Sequence, residues 1–551
     1  MAERTAEGTS EASDGASEGA SLGLRFWWRT FEGVRELFAE GHGEEGGTGD
    51  PLPVKTYRGL PRHVLPAPAR RIGDARWSFP GFRRARPGGG PRCDVLDEAS
   101  LSALLGHGYG LSRVELGPHA VWPYHRTVAS ARCFHPVELY VWTAAPAGPV
   151  PAGCYHYDPA HHSLTRLRDG GIPAALREAV GGGPVRPHAL VVAAVDFRKS
   201  AFRYRDYAYR LASQEAGMTV GNVLLAAGAL GLRGRVHHRF DDAVVNRALG
   251  LDGAEEESGE GVEETAFAVL ELLPAGGPGA PPVPAGPEAR GALDRVRPQR
   301  LRTHTGDASS WAGLTAVDRA ARQAVDRGPV EPMDFHAPED SGDELTWDHI
   351  PSGETELASA LRVRDSGGRM FLPADAPLPC ADLAALLRHA LEPVESDHTG
   401  GAGAPLVDCH VLALRVTGVP AGLYRLNNDG GALTALPGRD WRPVVDMLCD
   451  RTPAVNSAKA PALVFLGVDR FAGDRWFGDR GYRILHQEAG IVAQRISVLA
   501  AAAGVSARVT NGYHADLVRE LTGGGPGRVP VFTLVLGRRR PSAQYEPPLT
   551  W

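Results

Sequence analysis

Several features that would assign this chain to a protein class are missing from its sequence. Its 551 residues contain no run of about 18 uninterrupted apolar residues, so no membrane-spanning helix is expected. Lys and Arg number 59 against 65 Asp and Glu, and this net charge of −6 provides no basic surface for nucleic acid. Residues 1–19 have no apolar segment of the kind found in secretory signals, so we expect a cytoplasmic protein.

Metal-binding and dinucleotide-binding motifs are also missing. None of the six cysteines stands in a CxxC motif, which predicts free thiols. The histidines that invite a metal interpretation lack the i, i+4 spacing of zinc proteases and have no cysteine at zinc-finger spacing, so we predict no metal site. These are His135, His156, His161, His162, His237 and His238. No GxGxxG motif opens a helix after a strand, so the dinucleotide-binding fingerprint is missing too.

The most informative feature present is an internal duplication. Residues 206–210 and 214–217 (DYAYR and QEAG) recur as 479–483 and 487–490 (DRGYR and QEAG), a spacing of 273 positions from Asp206 to Asp479. Upstream, residues 151–155 (PAGCY) are echoed by 420–424 (PAGLY). This period is far too long for a solenoid, so it indicates two copies of one domain. Two such copies can pack as the fused form of a two-fold dimer.

Each copy is predicted to be α+β. Strands precede a long helix that is apolar nearly all round, over 207–232 in the first copy, and a final strand follows it. A Pro/Gly-rich segment at 274–287 separates the copies. We therefore predict a disordered N-terminus with a short helix (1–54), a first domain (55–273), a partly helical linker (274–345) and a second domain (346–551).

These motifs resemble the nitroreductase superfamily, and within it the SagB-type peptide dehydrogenases. The resemblance rests on residues 135–140 (HPVELY), 153–158 (GCYHYD), Tyr204, the duplicated Tyr-Arg and Gln-Glu-Ala-Gly helix starts, and 364–369 (RDSGGR). It implies two tandem nitroreductase-like domains that form an intramolecular pseudo-dimer and bind FMN. It further implies oxidation of thiazoline or oxazoline rings to thiazoles or oxazoles, and the tandem form looks most like the dehydrogenases of thiopeptide-type pathways.

A phosphate-binding group for FMN is predicted at the start of the second copy. Arg364, Ser366 and Arg369 supply guanidinium and hydroxyl donors, which suit a dianionic phosphate. The family pattern is closer to Arg-Arg-Ser-x-Arg, so Asp365 and one glycine are departures from it. A solvated loop is the alternative interpretation.

One composite FMN site is predicted rather than two. In the first copy, residues 126–132 keep Arg126 and Ser130 where the family has a turn that faces the flavin. The counterpart at 399–403 in the second copy has no serine, and the basic segment 82–86 of the first copy also lacks one. The better-preserved halves come from different copies, which would leave one flavin per chain.

Four further residues are candidates for flavin contacts. Asn511 and Gly512 follow the long helix of the second copy, where family members run backbone past the flavin ring. Arg538 and Arg540 follow the last strand, where the family often places a cation for the phosphate. An ordinary Asn-Gly turn and a solvated charge run are the respective alternatives.

Azoline oxidation also needs a base. Many SagB-type enzymes have a Lys-Tyr pair before the Tyr-Arg helix, and this chain has Arg203-Tyr204 there. Arginine stays protonated and cannot be the base, but it can favour a tyrosinate. Tyr204 is therefore the candidate, with Lys199 as a substitute amine and Arg203 as the assisting cation. A buried structural tyrosine is the alternative.

The resulting expectation is an FMN-dependent azoline dehydrogenase that uses molecular oxygen as final acceptor. Its substrate would be a ribosomal precursor peptide or an azoline on a carrier protein, and a cyclodehydratase or leader-binding protein is the expected partner. An NAD(P)H-dependent reductase of dehydroamino acids or nitro compounds and a non-catalytic peptide-binding scaffold stay open, as does further association into a homo-oligomer.

Overall fold

The structure is a computed structural model that describes most of the two predicted domains. The described residues are 20–39, 53–74, 78–79, 93–117, 120, 123–251, 263–274, 311–322, 342–347, 356–367, 371–372, 377–398, 406–451, 455, 457–539, 545–547 and 549. The predicted disordered segment 1–19, most of the linker, and the segments 82–86 and 399–403 lie outside this set.

In the described residues, the first half contains nine strands together with helices before and between them. Its helices are α1 (Leu22–Thr30), α2 (Val34–Ala39), α3 (Glu98–Tyr109), α4 (Ala174–Ala179), α5 (Arg198–Tyr204), α6 (Tyr207–Ala229) and α7 (Asp242–Leu249). Its strands are β1 (Arg62–Val64), β2 (Leu111–Val114), β3 (Tyr124–Arg126), β4 (Val137–Thr143), β5 (Gly153–Asp158), β6 (Ser163–Asp169), β7 (Ala189–Asp196), β8 (Leu232–His237) and β9 (Glu264–Pro274).

The second half repeats this order after a helix from the linker region. Its helices are α8 (Ala312–Ala321), α9 (Leu357–Val363), α10 (Cys380–Leu387), α11 (Arg442–Arg451), α12 (Arg470–Phe477), α13 (Gly481–Ala502) and α14 (Ala515–Thr522). Its strands are β10 (Glu344–Thr346), β11 (Phe371–Leu372), β12 (Leu378–Pro379), β13 (Asp408–Ala413), β14 (Val416–Thr417), β15 (Gly422–Leu426), β16 (Ala432–Ala435), β17 (Ala462–Asp469), β18 (Ser506–Thr510) and β19 (Arg528–Arg539).

The two main sheets have the same strand order, as the duplication predicts. The first runs β1-β6-β5-β4-β7-β9-β8, and the second runs β10-β16-β15-β13-β17-β19-β11 with β18 also paired to β19. Strands β4 and β7 read as apolar runs, VELYVWT and ALVVAAVD, because all their residues are buried. Each half is therefore an antiparallel sheet with helices against it, which confirms the α+β prediction.

The two long helices α6 and α13 pack against each other at the centre of the molecule. Both are buried on nearly every face, as their all-round apolar sequences require. Gly217 and Gly490, equivalent residues of the duplicated QEAG motif, lie where the helices cross. A Cβ on Gly217 would sit 2.5 Å from the Cα of Gln487, and one on Gly490 would sit 2.8 Å from the backbone nitrogen of Met218. The motif's glycines thus permit the close approach that joins the halves.

Both ends of the described chain cross to the opposite half. Helix α1 packs against α13, where the buried Trp27 ring stacks on His486 with centroids 4.5 Å apart. Near the C-terminus, the backbone of Tyr545 pairs with Leu116 of the first half through bonds of 2.8 and 3.2 Å. The two halves are therefore tied together by their ends as well as by the central helices.

No described helix combines the length and the apolar character needed to cross a membrane.

Candidate functional site

The turn after β3 of the first half meets the segment after α9 of the second half. Arg364 donates from Nε to the carbonyl oxygen of Thr127 at 2.7 Å and from Nη2 to that of Arg126 at 3.1 Å. Gln494 on α13 also donates to the Thr127 carbonyl, at 3.3 Å. The two segments proposed to form one composite site are thus brought together by residues from both copies. We call this region the Arg126 site: Arg126, Ser130, Glu215, Arg364, Ser366, Arg508 and Asn511.

Arg126 is a buried cation with unused donors. Its side chain is 2% exposed, and its guanidinium carbon lies 4.6 Å from the centre of the Tyr109 ring. Nε and Nη1 have no hydrogen-bond partner among the described residues. Buried N–H groups without partners are costly, so these donors fit a bound oxygen-rich anion such as a flavin phosphate or ring oxygen.

Further arginines surround Asp365, the residue that departs from the family pattern. Arg113 lies 2.7 Å and Arg539 3.4 Å from its carboxylate. Burial raises the pKa of Asp365, but these guanidinium groups outweigh it and hold that pKa below its ordinary value. Asp365 therefore fixes two arginines beside the site, and Arg508 is held in turn by the Ser366 carbonyl at 2.8 Å.

Glu215 places a carboxyl group in the same region. It is 4% exposed, and its Oε1 lies 3.8 Å from Nδ1 of His135. Burial raises its pKa to about 8, against the hydrogen bond from Ser130 and the charge of Arg126. Ser130 also accepts a 2.8 Å hydrogen bond from the backbone nitrogen of His135. A carboxyl group that titrates near pH 8 can take or give a proton under physiological conditions.

Asn511 is held by the first half through its side-chain amide. Its Nδ2 donates to Oε1 of Gln214 at 2.7 Å, and its Oδ1 accepts from Arg210 at 3.4 Å. Gly512 follows with its backbone nitrogen bound to Thr510 Oγ1 at 3.0 Å. The Asn-Gly segment is therefore positioned by α6 of the opposite copy.

The predicted catalytic residues on α5 are not grouped as expected. The buried Lys199 binds the carboxylate of Glu138, which also pairs with His156 at 2.8 Å. This ion pair occupies the lysine amine, so Lys199 has a structural partner in β4. Tyr204 is half-buried, and its ring lies 6.2 Å from that of Phe134. Arg203 is half-buried on the same helix turn.

The remaining predicted residues contribute less to the described geometry. Ser366 lies 3.5 Å from Nη1 of Arg364 through its hydroxyl oxygen. Arg538 is exposed at the end of β19. Arg369 and Arg540 lie outside the described residues, so their predicted phosphate contacts stay predictions.

Comparisons with known proteins agree with this fold. Residues 95–259 match the model of the nitroreductase family. A crystal structure of a candidate nitroreductase from Anabaena variabilis superimposes with a TM-score of 0.69 at 20% identity, covering 95% of this chain and all of the other. This likeness extends the fold over both halves and confirms the predicted fold class.

Two curated relatives are named as processing proteins. The microcin B17-processing protein McbC of Escherichia coli is 28% identical over 139 residues, covering 23% of this chain and 49% of the relative. The trifolitoxin-processing protein TfxB of Rhizobium leguminosarum bv. trifolii is 31% identical over 133 residues, covering 23% of this chain and 36% of the relative. The chain thus spans half or less of the length of either relative.

Residues 95–259 are therefore a nitroreductase domain, and the resemblance to the nitroreductase superfamily is confirmed. The similarity to McbC and TfxB supports the SagB-type assignment within it.

Sequence reasoning missed Glu215 and the arginines paired with Asp365. Glu215 stands in the QEAG motif, and its burial at the start of an all-apolar helix was the available signal. Arg113 and Arg539 are 426 positions apart in the numbering, so nothing local connects them.

Proposed function

We propose that this chain is an FMN-dependent dehydrogenase that oxidises thiazoline or oxazoline rings of a modified peptide to thiazoles or oxazoles. The observation that carries the proposal is the Arg126 site. A buried arginine with unused donors, two further arginines and a carboxyl group with a pKa of about 8 meet there, with Arg113 and Arg539 beside them, at the boundary between two copies of a nitroreductase fold. FMN bound there would accept the hydride equivalent of the ring oxidation.

Arg126 and the second-half arginines would hold the anionic parts of FMN. The free donors of Arg126 suit a flavin oxygen or phosphate, and Arg508 and Arg539 add positive charge from the other copy. Arg364 has another task, because its donors already bind the carbonyl groups of residues 126 and 127. It positions the turn that carries Arg126 and Ser130, and this modifies the expectation that Arg364 binds the phosphate itself.

Glu215 and Tyr204 are the candidates for the base that takes the ring proton. In each turnover one C–H bond would lose its proton to the base and a second C–H bond its hydride to FMN, so each ring loses two hydrogens. Glu215 has the better-matched pKa, about 8, and lies in the site's interior. Tyr204 is half-buried against Phe134. Lys199 is left out because Glu138 binds its amine.

The peptide substrate is proposed from the relatives, which by name process microcin B17 and trifolitoxin. A cyclodehydratase that forms the azoline rings is the corresponding partner, and molecular oxygen is the proposed final acceptor.

The first test is the absorbance spectrum of the purified full-length chain, followed by heat release and identification of the flavin. We expect about one FMN per chain. An azoline-containing peptide should then lose two hydrogens per ring, measured by mass spectrometry, with oxygen consumed in step. A colourless folded protein that takes up no added FMN would contradict the proposal and favour the scaffold. Turnover that needs NAD(P)H would favour the reductase.

A further inference from the structure

The molecule has a second position equivalent to the Arg126 site, on the other side of the central helices. His238 and Glu488 stand 273 positions from Asn511 and Glu215, the same spacing that relates the two QEAG motifs. His398 precedes Thr399 as Arg126 precedes Thr127. The contributions are exchanged between the halves, since His238 comes from the first and His398 and Glu488 come from the second.

We propose that His238, His398 and Glu488 bind one divalent metal ion such as Zn²⁺, and we call these three residues the His398 site. One ligand atom from each of His238, His398 and Glu488 lies within 4.8 Å of the others, and all three residues are buried. Nε2 of His238 is 2.9 Å and Nε2 of His398 is 3.7 Å from Oε1 of Glu488. Tetrahedral zinc with bonds of about 2.0–2.2 Å separates its ligands by roughly 3.3 Å, which lies between these two distances.

The protonation of His238 supports a cation between the side chains. Its Nδ1 lies 2.7 Å from Oε1 of Gln487, whose Nε2 donates to the Phe267 carbonyl at 3.1 Å. Gln487 is therefore the acceptor, and the neutral ring carries its hydrogen on Nδ1. Its Nε2 lone pair then faces a carboxylate oxygen, and two acceptors in contact need a proton or a cation between them. Orientation of a ligating histidine by such a partner is usual at metal sites.

His398 provides the second, independent observation. Its side chain is 1% exposed, and its Nε2 has no hydrogen-bond partner among the described residues although Glu488 lies nearby. Its Nδ1 lies 3.2 Å from Ser396 Oγ and 3.6 Å from the carboxylate of Asp397. The nitrogen that faces the cluster is therefore the unused one, as a metal ligand requires.

The donor set also suits the ion. Two imidazoles and one carboxylate are a frequent three-ligand zinc set, which leaves the fourth position for solvent. A cavity lined by Leu391, Val394, Ile491 and Glu488 adjoins the cluster and offers space for that ligand. The sequence predicts no metal at His238 because its partners lie 160 and 250 positions away. A bound ion would join the two halves at the His398 site, just as FMN is proposed to lie between the two halves at the Arg126 site.

Zinc binding to the full-length chain without an affinity tag tests this inference. After treatment with a chelator, the protein is equilibrated with Zn²⁺, and bound metal is measured by mass spectrometry of the elements. We expect one zinc per chain, a higher melting temperature with zinc, and affinity at least about tenfold lower in His398→Gln and Glu488→Gln. His161→Gln removes an exposed histidine as the matched control and should bind like the wild type.

Co²⁺ makes the result independent of how the variants fold. In the wild-type chain it should give visible absorption typical of nitrogen and oxygen ligands, without the thiolate bands that binding to any of the six cysteines would produce. A folded chain that binds no Zn²⁺, or thiolate bands with Co²⁺, would overturn the inference. Because these measurements need neither FMN nor substrate, they stand apart from the proposed function.

Discussion

The Arg126 site and the His398 site occupy equivalent positions and have opposite chemistry. Where the first has Arg126 and Asn511, the second has His398 and His238, and both keep a glutamate at the start of a central helix. One position therefore offers donors to an anion, and the other offers lone pairs to a cation. In a dimer of identical chains a substitution appears at both positions. Fusion of the two copies into one chain allows each position to carry different residues, as these two sites do.

The paired glutamates show the contrast most directly. Both are buried, and burial raises the pKa of each. For Glu215 burial prevails and the pKa rises to about 8. For Glu488 the adjacent His238 and His398 prevail, and the pKa falls below its ordinary value. The same residue at the same place in the fold thus takes opposite protonation states because its neighbours differ.

The largest effect is expected from Gly217→Ala, which acts where the central helices α6 and α13 cross. The new methyl group would collide with the backbone of Gln487, and backbone cannot move aside as a flexible side chain can. We expect the free energy of unfolding to fall by about 3 kcal/mol, despite alanine's better helix propensity. Chemical denaturation measures this loss.

Gly525→Ala is the control for that substitution. No described atom lies within 4 Å of a Cβ there, so its stability should stay within about 0.5 kcal/mol of the wild type. Equal stability of the two variants would show that the central helices do not need the glycine contact.

A smaller effect, confined to one site, is expected from Arg126→Ala. Loss of charge-assisted hydrogen bonds should weaken FMN binding by about 10- to 100-fold, measured by fluorescence titration, and leave zinc binding unchanged. Arg126→Lys should recover only part of the affinity, because lysine lacks the two-pronged guanidinium. The exposed Arg442→Ala is the matched control. Unchanged FMN affinity in Arg126→Ala would show that the flavin does not bind at the Arg126 site.

The smallest effect, taken over any one pH unit, is a difference between the two glutamates in how stability depends on pH. Glu215 has a folded pKa near 8 against an ordinary 4.5, so between these values the folded chain holds a proton that the unfolded chain has released. Its contribution is fully present below pH 4.5 and is lost as pH rises through 8, at up to about 1.4 kcal/mol per pH unit. Glu215→Gln should remove this slope in the flavin-free chain.

Glu488→Gln should behave in the opposite way. The pKa of Glu488 is lowered, so its contribution is present above pH 4.5 and is lost only as pH falls through the folded pKa. Denaturation curves recorded across pH for both variants measure the two slopes. Parallel profiles would show that the environments of the two glutamates do not differ as described.

The sequence predicted the architecture because its evidence was repetitive. A motif that recurs at a fixed spacing implies a repeated fold. The better-preserved parts of the flavin-site motifs lie in different copies, and this implied that Arg126 and Arg364 would meet. The structure brings them together through the 2.7 Å bond to Thr127. The flavin contacts of these residues stay predictions.

Individual roles were harder to predict because they depend on partners that are distant in sequence. Lys199 looked like a free amine until the fold placed Glu138, 61 positions away, against it. Histidine spacing along the chain gave no sign that His238 and His398 would share a carboxylate. Helical periodicity identifies which face is buried, but it does not identify which charges meet there.

The pairing of Tyr545 with Leu116 has a consequence for how the protein is made. The first half is synthesised first. Its segment at residues 112–116 forms backbone hydrogen bonds with residues 545–549, which are synthesised more than 400 residues later. The start of helix α1 likewise forms hydrogen bonds with Asp474 and Asp479, which are also synthesised more than 400 residues later. Contacts so far apart in sequence form slowly, because a long loop must close before they contribute. The first half therefore cannot reach its final form before these parts of the second half have been synthesised.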